Sequence, residues 1–314
     1  MRTSIIEGNI WFNTPHPIAP EELNGKVVLV DFWTYSCVNC IRTVPFLQEI
    51  WKKYRQYDFF IIGIHTPEFE FEKSPVNVEL ALERFDIHWP IVLDNDYINW
   101  NHFANHYWPA KYLIDQNGYI VYEHFGEGGY RETEEKIQEE LKRDFGTQEF
   151  PPLTKYEGSG GYCTIPTPER YLGFSRGFIT NAGGYHEDHI GHYLLPAIIP
   201  QNSIALKGEF TAKPEYIESF GDGGEIVINF NGTEVNLVMA PVESFAVIHV
   251  ELDGQDVPDD LAGEDMDKSD VVVSESRMYS LIVSSIPING MLKIKPQESN
   301  IKAYAFTFSG CVRG

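Results

Sequence analysis

The 314-residue sequence predicts two domains of different class. Residues 1–147 read as an α/β sandwich on a mixed sheet, and residues 148–314 as an all-β sandwich or jelly roll. Three observations carry this. Short continuous apolar runs, of the kind that buried parallel strands require, alternate in the first half with segments of helical periodicity. Beyond residue 203, short strand-like runs recur with turn residues between them. All six tryptophans (Trp11, Trp33, Trp51, Trp89, Trp100 and Trp108) fall in the first half. At about 150 residues each, both parts are long enough to bury a core of their own.

Val27–Trp33 reads as the first buried strand. Val44, Leu47, Ile50 and Trp51 then recur at helical spacing. Phe59–Ile64 is a second strand, residues 76–85 are a helix with Val78, Leu82 and Phe85 on one face, and Pro90–Leu93 is a brief third strand. Residues 111–114 and 119–124 form a hairpin across Gln116-Asn117-Gly118, because Asn-Gly accepts the positive φ of a tight turn. Residues 132–143 are a charged helix with Ile137 and Leu141 inward, ended by Gly146 and Pro151-Pro152. In the second half the strand runs are 204–212, 224–230, 233–239, 245–252, 271–273, 278–284, 290–295 and 301–308. Asn231-Gly232 and Asp253-Gly254 read as hairpin turns.

Composition narrows the function. A content of 43% hydrophobic and 14% aromatic residues excludes a disordered chain. The net charge of −22, divided equally between the halves, repels phosphate backbones and anionic lipid, which excludes nucleic acid and membrane surfaces as partners. No apolar run approaches the roughly 18 residues of a membrane span. The N-terminus lacks the apolar region of a signal peptide, so the chain as written reads as cytoplasmic. Four cysteines are too few for a disulfide scaffold.

The chemistry lies in Asp31-Phe32-Trp33-Thr34-Tyr35-Ser36-Cys37-Val38-Asn39-Cys40, where a buried strand ends and a helix begins at the cysteines. A thiol at a helix N-terminus faces unpaired N–H groups and the positive end of the dipole, which favours its thiolate. Cys40, one turn on, comes close enough to close a short disulfide ring with Cys37. Cys37 is then the attacking thiol and Cys40 the resolving one. Two core cysteines, or half a zinc site, would read alike, but Cys163 and Cys311 supply no second pair at zinc spacing, so no metal is expected here. Such a dithiol needs no cofactor beyond its own disulfide.

Val30-Asp31-Phe32-Trp33 followed by Cys-x-x-Cys resembles the active-site segment of thioredoxins, with Pro45 matching the helix-kinking proline and Trp108-Pro109-Ala110-Lys111-Tyr112-Leu113-Ile114-Asp115 the cis-proline loop. The resemblance implies a thioredoxin-like fold, a cis Pro109 against the dithiol, and thiol–disulfide exchange with protein substrates. Residues 65–108 are longer than in plain thioredoxin and resemble the TlpA/ResA class. His65-Thr66-Pro67-Glu68, Phe71-Glu72-Lys73, Leu93-Asp94-Asn95 and Phe125-Gly126-Glu127-Gly128 are similar to motifs of the soluble part of DipZ-type proteins. Thr167–Gly173 and Ala303–Phe308 resemble the carbohydrate-binding-module-like domain that accompanies it. That likeness implies a donor of thioredoxin-reductase-like or CcdA-like type, and a periplasmic or other extracytoplasmic site if an export signal was removed. Val38-Asn39 stands where ordinary thioredoxin has Gly-Pro.

Asp31, on a buried strand beside the dithiol, loses solvation. Its pKa rises toward neutrality, and it can take the Cys40 proton during resolution. Trp33 and Tyr35 are expected to shape the surface beside the disulfide, and Trp108 and Pro109 to receive the substrate. Thr34, three residues before Cys37, matches part of a peroxiredoxin motif whose proline is replaced by Val30, so a thiol peroxidase is the enzyme alternative. The non-enzyme alternative is a glycan- or protein-binding second domain with a dispensable dithiol. Its aromatic platforms would be Tyr162, Tyr171, Tyr185, Tyr193 and Tyr216, in the absence of any tryptophan. His186, His189 and His192 read as a polar connector, and the acidic segment 251–270 as a solvated loop without a calcium-loop pattern.

Overall fold

The computed structural model describes residues 6–145, 149–155, 164–297 and 300–310. Two compact units, Met1–Tyr156 and Glu157–Gly314, make up the chain.

The first unit contains β1 (Trp11–Phe12), β2 (Val27–Trp33), α1 (Val38–Tyr54), β3 (Phe59–His65), α2 (Pro75–Arg84), β4 (Ile91–Leu93), α3 (Ile98–His102), β5 (Ala110–Ile114), β6 (Ile120–Phe125) and α4 (Tyr130–Phe145). Its sheet has the order β1-β4-β3-β2-β5-β6. β2, β3 and β4 run parallel, while β1, β5 and β6 are antiparallel to their neighbours. Strand alternation sorts the core. Leu29 and Trp33 of β2, Ile61 of β3 and Leu113 of β5 face one cluster with Val44, Leu47 and Ile50 of α1 and Ile137 and Leu141 of α4. Val28, Val30 and Phe32 face the other, with Ile62, Ile64, Val92 and Tyr112. Asp31 shares the parity of Leu29 and Trp33, so it points toward α1. The β5–β6 turn forms at Gly118, whose φ is 81°, with the Asp115 carboxylate accepting from the N–H groups of Asn117 and Tyr119.

The second unit contains β7 (Arg170–Tyr171), β8 (Ile190–Tyr193), β9 (Ser203–Ala212), β10 (Ile217–Pro241), β11 (Ala246–Leu252), β12 (Gln255–Asp256), β13 (Asp270–Val273), β14 (Arg277–Gln297) and β15 (Ile301–Ser309). These form one nine-stranded, antiparallel sheet around a single large apolar cluster. Asp253-Gly254 makes the expected hairpin turn between β11 and β12, both residues at positive φ. Asn231-Gly232 does not. It lies inside β10, opposite Asn289 and Ile288 of β14, where the ladder shifts register. The Asn231 side chain donates to the Ile165 carbonyl and the Thr233 hydroxyl to the Ser309 carbonyl. A Cβ on Gly232 would stand 2.8 Å from the Ser309 oxygen. Glycine is there for a close backbone approach at a bulge, not for a turn. Likewise 278–284 and 290–295 are one strand, bulged between.

Gly173 is a tighter position of the same kind. A Cβ there would fall 2.2 Å from the Glu215 carbonyl carbon and 2.4 Å from the Pro214 oxygen, both backbone atoms that cannot rotate away. Gly173→Ala is therefore expected to destabilise the second unit by about 1–3 kcal/mol or more. In urea denaturation of the whole chain, an unchanged β-domain midpoint would refute this.

Candidate active site

The dithiol sits where β2 hands over to α1. Cys37 is the N-cap of α1, its Sγ accepting from the Cys40 N–H at 3.3 Å. Both cysteines are free thiols, Cys37 half-buried and Cys40 buried. Burial, with the Cys37 sulfur beside it, pushes the Cys40 thiol well above its ordinary range. The pair is thus asymmetric: one sulfur is reachable and set against the Cys40 N–H of the helix, and the other is buried behind it.

Asp31 lies beneath, 3% exposed. Burial pushes its carboxyl from 3.8 up to about 7, opposed by the positive charge of Lys111. Asp31 and Lys111 are register partners across β2 and β5. Lys111 is fully buried, donates to the Gly126 carbonyl at 3.3 Å and lies over the Tyr130 ring. Burial lowers its pKa against the pull of Asp31, Cys40 and Glu127. No role for Lys111 was expected from sequence. The available signal was a lone lysine in the apolar run of β5, at the inward parity of Leu113.

The other anticipated residues fall as follows. Trp33 and Tyr35 are not on the surface: they are 3% and 2% exposed. Both rings pack on the buried His65, Trp33 edge-on at 5.3 Å and Tyr35 stacked at 5.6 Å. Apolar packing wins over exposure, and they shape the dithiol's surroundings from beneath. The Trp108–Pro109 peptide is cis, with Pro109 buried. Trp108 is half-buried, its indole N–H donating to the Thr66 carbonyl at 3.1 Å and its ring against Trp100 at 4.2 Å. Thr34 is buried, with its hydroxyl 3.4 Å from His65 Nε2. Burial lowers the His65 pKa to about 3, which keeps the ring neutral. A second buried carboxyl, Glu72, also stands beside this turn; sequence reading quoted its motif without giving it a task.

In the second unit, Tyr193 is buried, Tyr185 is half-buried, Tyr171 carries the Arg176 guanidinium at 3.8 Å, and Tyr216 packs on Tyr304. Tyr162, Cys163 and Cys311 lie outside the described residues. His186, His189 and His192 are exposed, and among the described residues no group of three or more His, Cys, Asp or Glu is placed to hold a metal. Several carboxylates of segment 251–270 are engaged, Asp265 by Arg277 and both Asp256 and Asp270 by His249. No helix among the described residues is long and apolar enough to cross a membrane.

A mixed sheet with a helix-capping Cys-x-x-Cys at the end of its central strand defines a thioredoxin-like thiol–disulfide oxidoreductase, and the chain belongs to that family. Residues 13–141 match the family described as Redoxin, and residues 167–309 the one described as Thioredoxin like C-terminal domain. The chain is 30% identical over 132 residues to thiol-disulfide oxidoreductase YkuV of Bacillus subtilis, covering 42% of this chain and 87% of YkuV. It is 34% identical over 241 residues to protein DipZ of Mycobacterium bovis, covering 76% of this chain but 35% of DipZ. The chain therefore spans about a third of the length of that curated relative. A solved thiol-disulfide isomerase from Corynebacterium glutamicum aligns at 21% identity with a TM-score of 0.41, over 44% of this chain and 95% of that one.

Proposed function

We propose that the chain exchanges disulfides with protein substrates through Cys37 and Cys40. The Cys37 thiolate attacks one sulfur of a substrate disulfide, forming a mixed disulfide and expelling a substrate thiolate. Asp31 takes the Cys40 proton, and the Cys40 thiolate then attacks the Cys37 sulfur and expels the second substrate thiolate. The substrate gains two electrons, and the Cys37–Cys40 disulfide is left for a thioredoxin-reductase-like or CcdA-like donor to reduce. Run backward, the same steps oxidise a dithiol. Trp108 and the Pro109 loop are the substrate-facing neighbours in this reading. Its main support is the asymmetry of the pair: a reachable, helix-capping Cys37 in front of a buried Cys40.

The test is a titration of the dithiol in dithiothreitol or glutathione redox buffers, read by tryptophan fluorescence, with Cys37→Ala as control. A two-electron transition near about −270 mV marks a reductant, and one above about −180 mV an oxidant or isomerase. A wild type that does not titrate refutes the reading.

A further inference from the structure

Glu72 lies on the short 3-10 turn Glu70–Lys73, in the segment joining β3 to α2, and is fully buried. Its two oxygens do different things. Oε2 accepts from the N–H groups of Glu68 at 2.5 Å and Phe69 at 3.0 Å, closing the turn on itself. That is local capping, and one oxygen suffices for it. Oε1 reaches 36 residues back along the chain and accepts from the Ser36 hydroxyl at 2.6 Å and the Ser36 N–H at 3.3 Å. Ser36 is the residue immediately before Cys37. The same segment holds the neighbouring residue too, since the Tyr35 ring packs on Phe71 and its hydroxyl donates to the Phe71 carbonyl at 3.5 Å.

We propose that Glu72 is a positioning residue for thiol exchange: its carboxylate fixes the Thr34–Ser36 turn, and through that turn the placement of the Cys37 sulfur at the head of α1. This rests on the reading of Cys37 as the attacking thiol. A carboxylate buried in this way is costly unless donors surround it, and here backbone N–H groups of Ser36, Glu68 and Phe69 and the side chains of Ser36 and Thr34 do so. Of the donors around it, only hydroxyls can reverse their role and accept, and those of Ser36 and Thr34 both belong to the turn before Cys37. Protonating Glu72 therefore has its structural outlet in that turn, a rotation of the hydroxyls that lead into Cys37. Burial raises the Glu72 carboxyl to about 7, with the bonds from Ser36, Thr34 and Phe69 holding it down, so that outlet opens near neutral pH. Among the charged groups, Glu68 of its own segment raises it further, Lys73 is paired with Glu70 at 2.6 Å, and His65 of β3 lies against the Tyr35 ring of the same turn.

A glutamine at position 72 has one acceptor oxygen, so when it caps its own turn it meets Ser36 with an NH2, which leaves the Ser36 N–H without an acceptor and forces the Ser36 hydroxyl to reverse. Ser36→Ala removes only the long-range bond and leaves the cap. The experiment measures the iodoacetamide alkylation rate of Cys37 from pH 5 to 9, with the dithiol potential, in wild type, Glu72→Gln, Ser36→Ala and Ser36→Thr. Glu72→Gln and Ser36→Ala are expected to alkylate about fivefold more slowly at pH 7 and to lose the inflection near neutrality. Ser36→Thr, which keeps the hydroxyl, is expected to restore both, and circular dichroism of Ser36→Ala should match wild type. Wild-type rate profiles and potentials in both Glu72→Gln and Ser36→Ala would overturn the proposal and leave Glu72 a local cap. A wild-type dithiol that fails to titrate would instead overturn the exchange reading, and this inference with it.

Discussion

Cys37→Ser is expected to abolish disulfide exchange, while Cys40→Ser is expected to leave the first step intact and arrest the reaction at a covalent adduct. The difference follows from access. Cys37 is half-buried at the mouth of the site, with its sulfur held by the Cys40 N–H at 3.3 Å, so a substrate disulfide meets it first. Cys40 is 2% exposed and reaches solvent-borne disulfides only through Cys37. Without the resolving thiol, the mixed disulfide has no internal route to release and awaits an external thiol. Turnover in an insulin-reduction assay should fall on the order of a thousandfold or more for either variant. Mass spectrometry under non-reducing conditions should find the adduct on Cys40→Ser and none on Cys37→Ser. The opposite distribution would exchange the two roles.

How much of this was legible in the sequence differs between the two units, for physical reasons. In the first unit the side chains that mark an element also bury it. Val27–Trp33 is a strand with those very limits because it is apolar on both faces, and a sheet covered on both sides demands that. In the second unit the limits of strands are set by partners far away in sequence. Asn231-Gly232 has the local chemistry of a turn, yet β10 runs through it because hydrogen bonds to Ile165 and Ser309 hold it in the ladder. The site shows the same division. The dithiol and Asp31 were legible because Cys-x-x-Cys spacing and strand parity are local facts. Lys111 and Glu72 were not, since a buried lysine and a buried glutamate look like surface residues until β5 and the 66–75 segment are folded against β2. Trp33 and Tyr35 were misplaced for a related reason. Proximity to a reactive group in sequence says nothing about which side of the sheet end a ring packs on, and His65, which draws both inward, comes from another strand.

Asp31→Asn is expected to stabilise the protein at pH 8 and to leave it nearly unchanged at pH 4. Asp31 has an ordinary pKa of 3.8 and is raised to about 7 in the folded chain, chiefly by burial. The folded state therefore holds the proton more tightly than the unfolded one. Its contribution to stability is whole below about pH 4, is lost as pH rises through about 7, and above that the buried charge weighs fully against folding. At roughly 1.36 kcal/mol per pKa unit, the ceiling on the gain at pH 8 is about 4 kcal/mol, reduced by whatever the amide leaves unpaired. Glu72 titrates in the same window, so the wild-type curve alone does not isolate Asp31; the difference between wild type and Asp31→Asn in urea unfolding at the two pH values does. Equal differences at pH 4 and pH 8 would contradict the assignment. Function should move the other way. The rate of resolving the mixed disulfide should lose its rise near pH 7 in Asp31→Asn, because the base that receives the Cys40 proton is gone. Lys111→Met separates the two effects, since Lys111 lowers the Asp31 pKa. Without that cation the Asp31 inflection should shift to higher pH while the base itself remains, so resolution slows at pH 7 and recovers at higher pH. An anion that folding disfavours is a stronger base for the same reason, and the same burial that costs stability at pH 8 equips Asp31 to take the proton from Cys40.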